Sequence, residues 1–244
     1  MRTPNASKPV RRKWIVAGLV AGLLTLPLAA AQVSAGDRLV DEGRFAEAVA
    51  AYEAVIAADP SDARAHVRFA RAAVYLADAL PADEDAVKEA WFERASEAAE
   101  RATELAPEDP DAHFEIARAL GRLAQYRGVL QSLGLAGRVA RALDRTLELD
   151  PEHAAAWHAR ALFHKEVPWI AGGRSGQVIP AFERAIAAEP DVITHRVELA
   201  RVYLDRDEPE KAREQLTVAL SLTARTYHDR LDMEEARALL AQLP

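Results

Sequence analysis

The chain contains no cysteine among its 244 residues. That excludes disulfides, thiolate metal ligation and a cysteine nucleophile together. Aromatic residues make up only 6 % of the sequence and there are two methionines. A β-sandwich would draw its core from Val, Ile, Thr and aromatic side chains; this alanine-rich composition suits closely packed helices instead. No serine stands in a GxSxG elbow, and the one Gly-rich run, Ala171 to Gln177, lacks the Lys-Ser/Thr end of a phosphate-binding loop. His153, His158 and His164 are spaced 5 and 6 apart, not the i, i+4 spacing that aims two imidazoles at one metal from a helix face. The expectation is therefore no catalytic residue, no metal, no cofactor and no enzymatic activity.

Acidic residues are absent from the first 35 positions, which hold five basic ones: Arg2, Lys8, Arg11, Arg12 and Lys13. A 15-residue apolar run follows from Trp14 to Leu28, then Ala29-Ala30-Ala31 and Val33-Ser34-Ala35. A charged start, an apolar centre and a small-residue end make a secretory leader. We therefore expect a signal peptide over residues 1–35, cut after Ala31 or Ala35, with export to the periplasm or cell envelope. The run is short for a bilayer span, which takes about 20 apolar residues. The alternative is an uncleaved N-terminal anchor, which would make the chain a membrane-anchored accessory subunit of an envelope transport or assembly system. Without the leader, basic residues fall from 31 to 26 while acidic ones stay at 38, leaving a net charge of −12. That balance opposes nucleic-acid binding and anionic lipid surfaces.

What is present is a recurring punctuation. Asp59-Pro60, Ala106-Pro107, Asp150-Pro151 and Glu189-Pro190 each close a stretch of the same kind: AYEAVIAADP, AAERATELAP, ALDRTLELDP, AFERAIAAEP. Phe45, Ala48, Tyr52 and Val55 form one helical stripe in the first of them. A small residue recurs in the helix after each proline, at Ala70, Ala117, Ala161 and Ala200, and Gly36 holds that place in the opening unit. Proline-to-proline distances are 47, 44 and 39 residues, and the extra length falls between the two helices of a pair. Asp83 or Asp85 is expected to cap the second helix of the longest unit, and Asp207 the helix opened by Pro209. A closing helix is expected from Tyr227 to Leu243, with Thr226 and Asp229 as a capping box.

This order of small residue, Gly turn, aromatic, Ala, Leu or aromatic, Ala and Pro resembles the tetratricopeptide repeat (TPR), and Trp157 stands where that family often has Trp. The resemblance implies an all-α, right-handed TPR-like α-solenoid over residues 36–244, about five helix hairpins with a C-terminal capping helix. The stretch from His113 to Ile170 also resembles the helical core of the regulator of microtubule dynamics proteins, a TPR-like family with lengthened middle repeats. The features that carry this are a first helix ending near Tyr126, the LDRTLELDP segment, a His- or Trp-led next helix, and Trp169 before an irregular loop.

In TPR arrays the first helices line a concave face. Carried onto this chain, the face holds Arg64, Arg71, Tyr75, Phe114, Arg118, Arg122, His158, Lys165 and Arg201. On an acidic chain this is a cationic, partly apolar groove, expected to take a protein or acidic peptide, or a chain's carboxyl terminus. The opposing reading is that these cations pair with acidic neighbours and only solubilise the helices. The alternative function is a small-ligand-binding protein or enzyme using the loop near Trp169, with His164 and Arg174.

Overall fold

The structure is a computed structural model that describes residues 33–127 and 129–243; the expected leader lies outside them except for its last three residues. Among the described residues there are eleven α-helices and no strand. They are α1 (33–42), α2 (Phe45–Ala58), α3 (Ala63–Ala79), α4 (Asp85–Leu105), α5 (Pro110–Leu123), α6 (Val129–Leu149), α7 (Ala154–Glu166), α8 (Val178–Ala188), α9 (Ile193–Asp205), α10 (Pro209–Ser221) and α11 (Tyr227–Gln242). Successive pairs pack antiparallel and each pair packs on the next, giving the right-handed TPR-like solenoid of five hairpins closed by α11.

The prolines act at the junctions between pairs, and the structure adds a reason the sequence did not show. Each proline's carbonyl accepts a hydrogen bond from the side chain six residues later. His66 bonds Pro60 at 3.1 Å, His113 bonds Pro107 at 2.8 Å, Trp157 bonds Pro151 at 2.8 Å, and Arg196 bonds Pro190 at 3.3 Å. Three residue types share nothing except a side-chain N–H at the right height. Each ties the turn to the first helix of the next pair, satisfying a carbonyl of the turn itself.

Close helix approach follows from the small residues. Ala70, Ala117, Ala161 and Ala200 are all buried. A Cβ on Gly36 would stand 2.6 Å from the Tyr52 ring, so only glycine lets α1 lie on α2. The turn between α1 and α2 needs Gly43 at φ 81°. The same turn between α9 and α10 is made by Asp207 at φ 60°. Asp207 is therefore the left-handed turn residue and not the N-cap expected of it; Glu208 stands at the cap without a side-chain bond. Likewise neither Asp83 nor Asp85 caps α4, whose cap residue is Glu84. Asp62, Asp109 and the nitrogen of His153 do cap their helices, and Thr226 with Asp229 forms the expected capping box.

The extra length of the middle units is spent as expected. It makes α4 and α6 21 residues each, while the third insertion is a loop with short 3₁₀ turns at Trp169–Ala171 and Ser175–Gln177. The apolar interior has two main parts. One runs from Val33 through Tyr52, Phe92 and Leu120 to Phe163, the other from Ala161 through Phe182 and Leu216 to Ala236. Both include residues of α7, so that helix joins the halves.

Candidate interaction face

The residues expected on a concave face lie on the first helices α3, α5, α7 and α9, and most of those cations are engaged. At the centre is Glu115, whose side chain is 0 % exposed. Arg71 reaches across from α3 and donates to Glu115 at 2.9 Å, while Arg118, one turn along α5, lies 3.0 Å from its other oxygen. Arg71 also stands 3.8 Å from Asp111, and this acidic surround holds its guanidinium above its ordinary range despite burial. Arg118 donates to the Tyr75 hydroxyl at 3.0 Å and stacks on both Phe114 and Tyr75. Phe114 is 3 % exposed and lies under Arg118 and against His153. It is a wall of this cluster, not a free anchor.

The remaining cations follow the same rule. Arg122 pairs with Asp78 at 3.1 Å, Lys165 with Asp205 at 3.2 Å, and Arg201 with Glu198 and Glu235. Arg64 is exposed and forms no ion pair among the described residues. The sequence placed the cations on one row of helices; the structure brings acidic partners to nearly all of them. Glu115–Arg118 and Glu198–Arg201 are i, i+3 pairs legible in the sequence. Arg71–Glu115, 44 residues apart, is not.

Two histidines singled out in the sequence, His153 and the expected face residue His158, have partners that it did not supply. His153 accepts from the Ala156 amide through Nδ1, so Nε2 carries the proton it gives to Asp111 at 3.2 Å. That hydrogen bond, with Arg71 and Arg68 nearby, pulls the Asp111 carboxyl down to about 2 against the opposing effect of burial. His158 meets His195 with Nδ1 atoms 2.9 Å apart, so one ring donates and the other accepts. Burial, then the second imidazole, then Arg118 and Arg122 push His158 down to about 3; burial and Arg196 push His195 down to about 4. Both rings are neutral near pH 7.

The last helix changes the shape of the face. Tyr227 and His228, in the first turn of α11, reach the opening hairpins. The Tyr227 ring meets Phe45 edge-on at 5.5 Å, and His228 lies 4.4 Å from the Tyr75 ring. Further along α11, Asp232 accepts from Thr194 and Glu235 pairs with Arg201. The two ends of the array therefore touch, and α11 bridges from α9 to α2 and α3.

Around the loop, Trp169 is 84 % exposed and Ile170 is also open to solvent. The nearest cavity, about 170 Å³, is lined by Trp157, Arg160, His164, Gln177, Pro180, Ala181 and Arg184. Neither Trp169 nor Arg174 lines it. No group of three or more His, Asp and Glu that could hold a metal is found among the described residues, nor any helix long and apolar enough to cross a membrane.

Comparison with known proteins gives the relatives. The family profile of regulator of microtubule dynamics protein 1-3 matches residues 32–170. No curated protein matches the chain. Among solved structures, TTC0263, a thermophilic TPR protein of Thermus thermophilus, is 19 % identical with a TM-score of 0.70, covering 86 % of this chain and 99 % of its own. MamA of Desulfovibrio magneticus RS-1 is 18 % identical, with 80 % and 94 % covered and a TM-score of 0.48. YrrB, a TPR protein with an unusual peptide-binding site, is 16 % identical, with 89 % and 96 % covered and a TM-score of 0.45. The TTC0263 match agrees with the stacked hairpins in making this a TPR-type fold. Since the profile takes in more than half of the sequence, from the opening helix to the Trp169 turn, the chain belongs to the regulator of microtubule dynamics protein 1-3 family.

Proposed function

We propose that the chain is an exported, non-enzymatic scaffold that holds a protein or acidic peptide on its concave face, in the periplasm or cell envelope. What supports this is that successive first helices each carry a cation, with Arg64 in no ion pair among the described residues and Arg122 and Lys165 held by acids that are 29 % and 63 % exposed. Such pairs contribute about 0–1 kcal/mol each, so an incoming carboxylate exchanges partners at little cost. Arg71 and Arg118 have a different role: they hold the buried Glu115, so charge reversal there would unfold the array and say nothing of binding. The test is crosslinking in the native envelope, comparing the chain with Arg64→Glu and Arg122→Glu variants. Loss of one defined protein adduct supports the reading; an unchanged adduct pattern rejects the groove.

Export rests on the leader composition. Val33 is 2 % exposed and part of the core, which favours a cut after Ala31 over one after Ala35. N-terminal sequencing of the mature protein tests this: a chain starting at Ala31's successor, Gln32, agrees, and an intact Met1 returns the anchor reading.

A further inference from the structure

The first helices α3, α5, α7 and α9 repeat in register on Ala70, Ala117, Ala161 and Ala200, and α7 breaks the pattern they share. One place before the small residue stand Phe69, Ile116 and Leu199, but α7 has Arg160. Three places after it stand Ala73, Leu120 and Tyr203, but α7 has His164. In the other three helices both places belong to the apolar interior. A repeat that puts two polar side chains where its relatives put apolar ones gives up local consistency, and such departures mark functional positions.

The cleft is not closed there. Between α7 and α8 a cavity of about 170 Å³ remains. Trp157, Arg160 and His164, spaced i, i+3, i+7, form its α7 wall, and Pro180, Ala181 and Arg184 its α8 wall. His158 and Lys165, expected on the concave face, fall on a separate stripe of α7, so nothing about this cleft rests on the scaffold reading.

The charge of the lining is of one sign, since no carboxylate contributes to it. Arg184 lies over the Trp157 ring at 4.8 Å and forms no ion pair among the described residues. The Arg160 side chain is 13 % exposed; it pairs with Asp144 of α6, which is 60 % exposed and stands outside the lining. That acid balances one guanidinium and leaves the other. Burial, then Arg160 and Arg174, push the His164 imidazole down, as cations without a counter-ion do to a neighbouring base.

We propose that the cleft between α7 and α8 binds a small organic oxyanion, a phosphate monoester or a carboxylate, whose charged oxygens meet Arg160 and Arg184 and whose apolar part lies against Trp157, Pro180 and Ala181. Guanidiniums donate paired N–H groups to either oxyanion, and the enclosure of Arg160 strengthens such bonds relative to water. Gln177 and Arg184 are exposed, so the cleft opens to solvent. Its size bounds the ligand: drug-sized molecules take sites of roughly 300–1,000 Å³, so this one takes a charged head with a short or single-ring attachment.

Isothermal titration calorimetry on the full chain tests this. Phenyl phosphate and benzoate share a ring and differ in the oxyanion; benzyl alcohol is the neutral control. Saturable binding of at least one of the two anions, and none of benzyl alcohol, is expected. Arg184→Gln, at an exposed position, should weaken binding at least tenfold. Arg160→Leu restores the residue type of the other repeats. It should abolish binding and keep the thermal midpoint at or above that of the unaltered chain, whereas a purely structural Arg160–Asp144 pair would lower it. Arg101→Gln removes an equal charge from α4 and should leave the affinity unchanged. No binding of either anion, equal binding of benzyl alcohol, or affinities indifferent to both cleft substitutions overturns the proposal, and so does an equal loss in Arg101→Gln. Arg64 and Arg122 are untouched in all these chains, so the crosslinking experiment above succeeds or fails independently of this one.

Discussion

Glu115 is the residue whose removal should cost this array most for its size. The carboxylate is fully buried, while the guanidiniums that hold it, Arg71 and Arg118, remain 24 % and 20 % exposed. At an effective dielectric of about 20, each attraction at this range is worth about 4 kcal/mol before desolvation, and burying the carboxylate offsets several kcal/mol of the sum. The net value of the triad is therefore small, but the cost of breaking it is not. Glu115→Gln keeps the volume and leaves two cations facing each other. Breaking a buried pair costs about 3–5 kcal/mol; since both guanidiniums reach water, we expect about 3 kcal/mol. Arg71→Met in the same chain should return part of that loss, because one of the stranded cations is gone. Glu148→Gln is the control: its i, i+3 pair with Arg145 is exposed, so about 0.5 kcal/mol or less is expected. Urea unfolding followed by far-ultraviolet circular dichroism reads all four chains. If Glu115→Gln shifts the midpoint no more than Glu148→Gln does, the buried triad is not what joins α3 to α5.

Gly43→Ala must place a Cβ at φ 81° and 2.5 Å from the Tyr227 ring; a loss of about 1–3 kcal/mol is expected from strain and overpacking, and a thermal midpoint equal to that of the unaltered chain would refute it. The imidazoles of His158 and His195 are depressed to about 3 and about 4. The unfolded chain therefore takes up protons below about pH 6.5 that the folded chain refuses, and stability present above that pH is lost as pH falls toward 4, by up to about 1.4 kcal/mol per pH unit for each ring. His158→Gln should flatten the slope of stability against pH over that window, and an unchanged slope would assign it elsewhere. Phe182→Ala empties the centre of the second core part, with an expected loss of about 3–5 kcal/mol. Hydrogen exchange should then show α8 to α10 opening while α3 to α5 stay protected, since apart from the ring contacts of α11 each pair packs on its neighbours; uniform loss of protection would show a single cooperative unit. Trp157→Phe deletes the N–H that holds the Pro151 carbonyl and should cost about 1 kcal/mol or less by thermal melting.

The hairpin count, the five pairs and the closing helix were legible because they depend on short-range chemistry. A proline that ends a helix, an alanine or glycine where two helices touch, and a Thr226–Asp229 box all act within a turn of themselves. The two misplaced caps, at Asp207 and near Asp83, mark the limit of that logic. Asp207 sits where either a cap or a left-handed turn is chemically acceptable, and the path of the chain into α10 chose the turn. That a cation recurs on each first helix was legible as well, because equal places in successive repeats fall on equivalent helices.

What the row does was not. The acids that meet Arg71 and Arg201 come from 44 and 34 residues away, distances that depend on how far each lengthened hairpin turns the next. A repeat sequence determines each unit and its contact with its neighbour. The accumulated rotation of five unequal units, which brings Tyr227 onto Phe45 and joins the two ends of the array, is a sum of small angles that only the folded array sets.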